Sequence, residues 1–342
     1  MKIVIIRPFS RTAFELAGYC ARALINLGNE VVIFNFRYDY PLFFNKIGFF
    51  YNRLTLIKII KEFKPDFLFV IKGERIPLEI ITEIRKNFKI PIVNWWIDDP
   101  LWIKISKTIS PFYDYFFTND PNSIKVHQDS GCPNVKFLTF GCAPDIHRKI
   151  NLTEKEKKEL GSDICFSGTI VPKREKFLET LVDFNLKIWW QPITQDTDKE
   201  IKIKKRKISP SSPLFHKFTG KDVWGEEMVK VFNSSKICLN IHSQEGAGTN
   251  MRTFEVTGCG SFLLCESREI LPDLFKIGEE IVCFKEPDEL KELAKYYLSH
   301  PSEREKISKK GQERVYKEHT YKHRMKEMLS VIQKWKYQKK EL

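Results

Sequence analysis

The sequence predicts a two-domain α/β protein in which each domain is a doubly wound parallel sheet with helices on both faces. The chain has 342 residues, and at roughly 100–200 residues per domain this length favours two domains. Short, continuously apolar runs alternate with longer amphipathic stretches, which is typical of strands buried between helices. This alternation runs through the first half and starts again in the second half.

The first half begins with an apolar strand at residues 2–6, followed by a helix at 13–27 that Gly28 ends. The alternation continues with strands at residues 31–36, 67–71, 91–95, 115–118 and 135–140, and with helices at 54–63, 78–87 and from 123 onward. Because parallel strands need helical crossovers, this pattern predicts a Rossmann-like domain.

A polar segment at residues 151–161 holds six charged residues in eleven and predicts a domain boundary, either as a linker or as a surface helix. The second half then predicts strands at 163–167, 186–190, 237–241, 262–265 and 281–284, and helices at 173–184, 225–234, 252–257, 287–299 and 301–319. We therefore expect domains at 1–155 and 156–320. A last basic helix at 321–342 should pack back on the first domain through Met325, Met328, Leu329 and Ile332. Twin domains of this kind enclose a cleft, where ligands bind at strand ends.

The chain is basic, with a net charge of +13 and an isoelectric point near 9.2. Residues 199–221 carry eight basic residues and one acidic residue, and residues 301–342 carry thirteen and six, so each segment contributes +7. These segments are either solvated surfaces or a functional face for an anionic membrane or a phosphorylated substrate. No nucleic acid is expected, because the sequence has no helix-turn-helix, zinc-finger or aromatic RNA-binding signature.

No apolar run approaches the ~20 residues of a transmembrane helix, and no cleavable leader is recognised at the start. We expect a cytoplasmic protein with peripheral contact at the inner membrane face. The apolar segment 43–51, flanked by Arg53 and Lys58, is either that contact or a buried helix. The eight cysteines include no Cys-x-x-Cys pair, so the sequence indicates neither a zinc site nor a disulfide framework. We expect most of these cysteines to be buried thiols.

Two phosphate-binding motifs are missing. The first β-α turn, residues 7–12, has no glycine, and no Gly-Lys-Ser/Thr sequence occurs. A dinucleotide fingerprint and a P-loop both need these glycines for close backbone approach to phosphate. The sequence therefore argues against a hydride-transfer enzyme and against an ATPase.

The stretch 240–260 is the most informative. A strand ends near Ile241, a glycine-bearing loop follows, and Asn250 is a predicted N-cap for a short helix that begins at Met251. The free N–H groups of such a helix bind anions. Arg252 and Glu255 share one helix face, so the arginine would engage a phosphate while the glutamate accepts hydrogen bonds from sugar hydroxyls. The alternative is that the two side chains pair with each other on the helix surface.

Three further polar residues follow predicted strands. Asp98 and Asp99 come after the strand that ends near Trp96, and one of them is expected to act as a base or to hold acceptor hydroxyls. Alternatively, Asp99-Pro100 is turn chemistry. His242 is expected either to hydrogen-bond a sugar or phosphate, or to be a satisfied core histidine.

Several motifs together resemble the CgeB-type, spore-maturation-like group of glycosyltransferases, which has the GT-B fold. Their joint order along residues 90–265 makes the resemblance specific. The matching pieces are Trp95-Trp-Ile-Asp-Asp-Pro100, Phe117-Thr-Asn-Asp120, residues 137–145 with His147, residues 163–168 with Arg174, Trp224-Gly-Glu-Glu-Met228, Asn240-Ile-His242, Asn250-Met-Arg-Thr-Phe-Glu255 and residues 258–260.

The resemblance implies transfer of a sugar from a nucleotide-diphosphate sugar, held mainly by the second domain, to an acceptor held mainly by the first. The residue matching Glu255 would bind the ribose, and residues matching Asn250, Met251 and Arg252 would face the diphosphate. Ser167, Gly168 and Arg174 would form a second part of the donor site. An acidic residue often precedes the ribose-binding one in retaining relatives, but Glu245 lies ten positions before Glu255, wider than that pattern.

No cofactor and no metal are expected, because Asp98-Asp99 is not an Asp-x-Asp metal clamp. The acceptor class stays open between a glycan, a protein and a lipid-linked group. Two other functions remain as alternatives: a nucleotide-sugar epimerase of the same fold, or a non-catalytic protein that binds nucleotide sugars or polyanions through the segment 199–221.

Overall fold

The computed structural model describes residues 1–8, 11–36, 45–190, 209, 211–243 and 245–341. For residues 11–14, 45–46 and 335–341 it describes the backbone only. The chain forms two compact units. Unit 1 comprises Met1–Phe140, Gly246–Gly248 and Tyr321–Leu342, and unit 2 comprises Gly141–Glu245 and Thr249–Thr320.

Unit 1 contains a six-stranded parallel sheet in the order β2-β1-β3-β4-β5-β6. Its strands are β1 (Lys2–Pro8), β2 (Glu30–Phe36), β3 (Phe67–Ile71), β4 (Ile92–Trp96), β5 (Tyr115–Thr118) and β6 (Val135–Phe137). Its helices are α1 (Arg11–Asn26), α2 (Asn45–Phe63), α3 (Leu78–Phe88), α4 (Ile103–Ile109), α5 (Ser123–Asp129) and α13 (Tyr321–Glu341). Every residue of β3 and β4 is buried, as expected for strands covered on both faces.

The last helix, α13, packs on α1 within unit 1. The ring of Tyr321 stacks on Tyr19 with centroids 5.2 Å apart. Met325, Met328 and Ile332 have no exposed surface. The predicted packing of the last helix on the first domain is therefore confirmed.

Unit 2 contains a five-stranded parallel sheet in the order β11-β10-β9-β7-β8. Its strands are β7 (Ile164–Ser167), β8 (Leu186–Trp189), β9 (Ile237–Asn240), β10 (Leu263–Glu266) and β11 (Val282–Phe284). Its helices are α6 (Glu154–Leu160), α7 (Pro172–Glu179), α8 (Gly225–Ser234), α9 (Met251–Gly258), α10 (Leu271–Leu274), α11 (Pro287–Ser299) and α12 (Pro301–Glu318). One apolar cluster joins the sheet to the helices packed on it, α7 and α11 among them.

The predicted α/β class with two parallel sheets is confirmed, and the differences are local. The polar segment 151–161 is a surface helix rather than a linker, because Thr153 and Glu156 form a reciprocal capping box at its start. Helix α2 begins nine residues earlier than predicted, at Asn45 rather than Leu54. Helix α10 was not predicted, since four residues are too short for a periodic pattern.

All eight cysteines are free thiols, and seven of them are buried. Among the described residues, no helix combines the length and the apolar composition that crossing a bilayer requires. Six of the eight basic residues of the segment 199–221 lie outside the described residues, so its role as a contact surface stays a prediction.

Candidate active site in unit 2

The strand order of unit 2 reverses between β7 and β9. The chain passes from β7 outward to β8 and then returns to build β9, β10 and β11 on the other side of β7. In open parallel sheets such a switch point leaves a crevice at the carboxyl ends of the two strands, where ligands bind. Ser167 ends β7, and His242 follows β9 by two residues, so the predicted donor residues lie at this crevice.

The start of α9 is fixed to the end of β9 by three side chains. The side-chain oxygen of Asn250 accepts a hydrogen bond from the Arg252 N–H (3.0 Å), as an N-cap does. The Asn250 amide donates to Asn240 Oδ1 (2.9 Å), and Asn240 Nδ2 donates in turn to Thr253 Oγ1 (2.9 Å). The eight-residue helix therefore presents its amino terminus at the crevice in one defined position, with Met251 as its first, largely buried residue.

Two arginines meet at this crevice. Arg174, in the first turn of α7, donates from Nε to the Ile241 carbonyl and from Nη1 to the Thr169 carbonyl, both at 2.7 Å. It also lies over the Phe166 ring, 5.3 Å from the centroid. A side chain at Gly168 would come within 3.4 Å of this guanidinium, so the glycine leaves it room.

Arg252 approaches the same place from α9. Its Nε donates to the Ser167 carbonyl (3.3 Å), and its guanidinium lies 5.7 Å from the centre of the Trp224 ring. Burial and the neighbouring charge of Arg252 lower the pKa of Arg174 to about 10, against the opposing pull of Glu266. The Arg174 guanidinium is therefore charged at neutral pH, and it lies within the repulsive field of Arg252.

Glu255 lies deeper than the sequence indicated. Its side chain is 2% exposed, and one carboxylate oxygen accepts a hydrogen bond from Arg252 Nη1. The other oxygen lies 3.9 Å from Nε2 of His147, whose Nδ1 accepts a hydrogen bond from the Ala143 N–H (3.0 Å). The alternative considered above, an ion pair within the helix, is thus present, but it is buried rather than solvated on the helix surface.

The close packing that buries Glu255 depends on Gly258. A Cβ at this position would lie 2.9 Å from the Cβ of Cys142 and 3.0 Å from the Cβ of His147. Both distances are shorter than ordinary carbon contacts, so only glycine allows α9 to approach the segment 142–147 this closely. The glycines of the 258–260 piece therefore have a packing role that spacing alone did not reveal.

His242 forms a buried network with Glu266, the last residue of β10. The His242 N–H donates to Glu266 Oε2 (2.7 Å), and the ring Nδ1 lies 3.6 Å from the same oxygen. Nε2 lies 3.1 Å from Thr249 Oγ1, within hydrogen-bond distance. Burial lowers the pKa of His242 to about 4 despite Glu266, so the ring is neutral at neutral pH. A base this weak is a poor proton acceptor, which argues against a catalytic role for His242.

Three further charged residues lie at this site and were not predicted from the sequence to do so: Lys173, Glu266 and Arg268. Lys173 Nζ contacts Glu266 Oε1 (2.6 Å) and Glu245 Oε1 (2.7 Å), while Arg268 lies 3.5 Å and 3.3 Å from the same two carboxylates. Burial would raise the pKa of Glu266, but hydrogen bonds from His242 and Lys173 and the charge of Arg268 lower it to about 2. The missed signal was a glutamate directly after the apolar strand Leu263-Leu-Cys265, next to the switch point.

Asp98 and Asp99 belong to unit 1, where they differ sharply. Asp99 has no exposed side-chain surface. Its carboxylate accepts hydrogen bonds from Ser106 Oγ (2.6 Å) and Thr118 Oγ1 (2.7 Å), and it contacts His127 Nε2 at 2.8 Å. A carboxylate enclosed by three partners cannot reach a substrate, so the prediction of a catalytic Asp99 is corrected to a structural role.

Asp98 reaches the surface, with 30% of its side chain exposed, and contacts Lys72 Nζ at 2.7 Å. Lys72 also lies 3.3 Å from Glu74. Burial would lower the pKa of Lys72, but the charges of Asp98 and Glu74 outweigh it and raise the pKa above its ordinary value. Of the two predicted aspartates, only Asp98 is therefore available to a ligand.

Among the described residues, no group of three or more His, Cys, Asp or Glu side chains is arranged to hold a metal ion. The groups gathered at the crevice are instead cations, hydroxyls and carboxylates. Such an arrangement can bind an anion next to a polyhydroxy group.

The sequence is similar to a known protein family and to a curated relative. Residues 174–330 match the family described as "Glycosyl transferase-like". The spore protein CgeB of Bacillus subtilis (strain 168) is 25% identical over 268 residues, which cover 74% of this chain and 78% of CgeB. The matched family region contains the residues of the crevice from Arg174 onward.

Two solved structures share the fold over nearly the whole chain. A sucrose-phosphate synthase from Thermosynechococcus elongatus superposes with a TM-score of 0.71 at 12% identity, covering 98% of this chain and 99% of that one. HepE of Anabaena, in complex with UDP and glucose, superposes with a TM-score of 0.68 at 10% identity, covering 98% and 100%. The resemblance to the CgeB-type glycosyltransferases is therefore confirmed, with residues 174–330 matching a glycosyl transferase-like family and the whole chain adopting a GT-B-like α/β fold.

Proposed function

We propose that this chain transfers a glycosyl group from a nucleoside diphosphate sugar, bound at the unit 2 crevice, to an acceptor nucleophile. The nucleotide sugar is the donor substrate, and no resident metal or cofactor takes part in this proposal. The observation that carries it is the pair of guanidiniums, Arg174 and Arg252, held beside each other at the amino terminus of α9.

Two like charges held together are unfavourable, and Glu255, which pairs with Arg252, and Glu266, which acts on Arg174, offset part of this repulsion. Arg174 is bound by two backbone carbonyls, neither of which neutralises its charge. A diphosphate at the crevice would relieve the repulsion and would also meet the partial positive charge of the α9 amino terminus. That HepE of Anabaena binds UDP on the same fold supports a diphosphate as the ligand.

We assign Glu255 to the ribose of the nucleotide. Its carboxylate already accepts a hydrogen bond from Arg252, a residue whose side chain keeps 17% of its surface exposed. If Arg252 turns toward a phosphate, the freed carboxylate oxygen can accept hydrogen bonds from the two ribose hydroxyls. Arg252 then takes part in recognising both halves of the nucleotide.

The transfer itself breaks the bond between the anomeric carbon and the β-phosphate oxygen and forms a bond from that carbon to the acceptor. The electron pair of the broken bond leaves with the nucleoside diphosphate. Arg174, Arg252 and the helix terminus would stabilise the negative charge that develops on the leaving oxygen. Because Arg174 and the amino terminus of α9 are already held in place, they need little reorganisation as the charge appears.

In unit 1 we assign Asp98 to the acceptor. Its exposed carboxylate can accept a hydrogen bond from an acceptor hydroxyl and then its proton, while Lys72 holds the carboxylate in place. The assignment does not distinguish a glycan, a protein or a lipid-linked acceptor.

Nucleotide binding can be measured by calorimetry with UDP and UDP-glucose, followed by GDP, ADP and dTDP and their sugars. A ligand at 100 times its dissociation constant should stabilise the protein by about 2.7 kcal/mol in a thermal-shift screen. Arg252→Ala and Glu255→Gln should each weaken binding by about tenfold to a hundredfold, the value of a hydrogen bond to a charged group. Arg148→Ala is the matched control, because Arg148 pairs with Glu226 in the same unit at an exposed position.

Wild-type affinity in both Arg252→Ala and Glu255→Gln would remove the site assignment. Activity should persist in EDTA, and a complete loss that manganese restores would contradict the metal-independent mechanism. Radiolabelled donor incubated without acceptor separates the remaining alternatives: an isomeric nucleotide sugar would identify an epimerase. Binding without turnover of any donor would favour a non-catalytic role.

A further inference from the structure

Helix α2 in unit 1 has an apolar face that no described residue covers. The exposed side chains of this face recur at positions i, i+3, i+4 and i+7, the spacing of one side of a helix. They are Ile47, Phe50, Tyr51 and Leu54, which are 62%, 57%, 64% and 46% exposed. Single exposed apolar residues are ordinary, but four adjacent ones form a patch of the kind that marks an interaction surface.

The orientation of this face is fixed by the opposite side of the helix. Leu56 and Ile60 are buried at 0% and 2% exposure in the core of unit 1. Arg53 binds Glu83 of α3 through two hydrogen bonds, one of them 2.7 Å from Nε to Oε2. The sequence left open whether this segment is buried or touches a membrane, and the structure shows a helix with one face buried and the other uncovered.

Basic side chains continue the exposed face toward the end of the helix. Lys58 follows Leu54 by four residues and Lys61 follows it by seven, so both point to the same side. Both lysines are exposed, and Lys58 has only a distant contact of 3.9 Å with Glu62. The face therefore presents apolar rings and methyl groups first, and ammonium groups one to two turns later.

Charge decides which partner this face fits. A second copy of the chain would bring another net charge of +13 into contact, and the two sets of lysines would repel. An anionic bilayer attracts the same lysines, and its headgroup region accepts apolar side chains of an amphipathic helix lying in the plane of the surface. Tyr51 has the mixed polarity that favours this interfacial depth.

We propose that α2 docks unit 1 on the surface of an anionic lipid bilayer. Ile47, Phe50, Tyr51 and Leu54 enter the boundary between headgroups and acyl chains. Lys58 and Lys61 contact the lipid phosphates. The proposal concerns binding to the surface and does not depend on the reaction at unit 2.

Vesicle co-sedimentation of the full chain tests this docking. Vesicles of phosphatidylcholine with about 30 mol% phosphatidylglycerol should bind the wild type, and vesicles of phosphatidylcholine alone should bind it at least about tenfold more weakly. Phe50→Asp combined with Leu54→Asp should lower the partition coefficient at least about tenfold, because it removes apolar contact and adds repulsion. Ile25→Asp is the matched control, since Ile25 is 53% exposed on α1 of the same unit.

A second pair of variants separates local charge from net charge. Lys58→Gln with Lys61→Gln should lower binding about 30-fold, from about 1 kcal/mol for each lysine at the surface. Lys295→Gln with Lys309→Gln removes the same charge from unit 2 and should change binding less than about twofold. Circular dichroism and nucleotide binding should be unchanged in all these variants, because each replaced side chain is exposed.

Three results would overturn the proposal. The first is undiminished binding of the Phe50→Asp, Leu54→Asp variant. The second is equal binding to neutral and anionic vesicles. The third is a wild-type dimer in light scattering that this variant converts to a monomer, which would show that a second copy covers the face.

Discussion

Protonation of His242 should destabilise unit 2 as the pH falls, over a pH range set by the lowered pKa of this histidine. The folded protein holds the pKa of His242 at about 4, below the ordinary 6.5, chiefly through burial. The unfolded chain therefore binds this proton first as the pH falls below 6.5, and the free energy of unfolding decreases until the folded state is protonated too. The stabilisation is fully present above pH 6.5 and is lost toward pH 4. Between pH 7 and 4.5 the loss from this residue amounts to about 2 kcal/mol.

Urea unfolding followed by circular dichroism at several pH values measures this loss. The comparison is between wild type and His242→Gln, with His216→Gln as a control at an exposed histidine of the same unit. The pKa of Glu266, lowered to about 2, contributes only below about pH 4.5, so the upper range isolates the histidine. His242→Gln should show a shallower decline than wild type whatever its stability at pH 7. Parallel declines in the two proteins would refute the reasoning.

Two further predictions concern packing and buried charge. Gly258→Ala should lower the free energy of unfolding in urea by about 1–3 kcal/mol, because the added Cβ would press on Cys142 and His147. Gly18→Ala is the control, since its Cβ would meet only the end of Arg22 at 3.8 Å. This variant should be neutral or more stable by up to about 1 kcal/mol in the same titration. Asp99→Asn should cost about 2–4 kcal/mol by the same measurement, since it disrupts a buried carboxylate with three partners, while UDP affinity in calorimetry stays at the wild-type value. A catalytic defect in Asp99→Asn without a loss of stability would contradict the structural role.

The fold could be predicted from sequence because its signals are repeated and independent. Each buried strand is a short apolar run, and each crossover carries its own helical period, so an error in one element leaves the sheet intact. The ends of individual helices were harder to predict where the hydrophobic period and the composition of a segment indicate different structures. Helix α2 shows this, since the apolar segment 43–51 fitted a membrane contact and a buried helix equally well.

The site was predictable only in part. The N-cap at Asn250 and the shared face of Arg252 and Glu255 follow from local spacing, which sequence records directly. The depth of Glu255 depends on Gly258 packing against a segment more than a hundred residues earlier, and no local pattern carries that contact. Likewise Asp98 and Asp99 are neighbours in sequence, yet one is exposed and the other enclosed, because successive residues after a strand point in different directions.

The position of α13 gives synthesis of the chain a definite order. Unit 1 needs the last helix against α1, where Tyr321 meets Tyr19 and Met325 and Met328 are fully buried. Unit 2 ends at Thr320, directly before α13 begins. Unit 1, although translated first, keeps this apolar surface uncovered until α13 has been synthesised, so a chain truncated near residue 320 should be aggregation-prone.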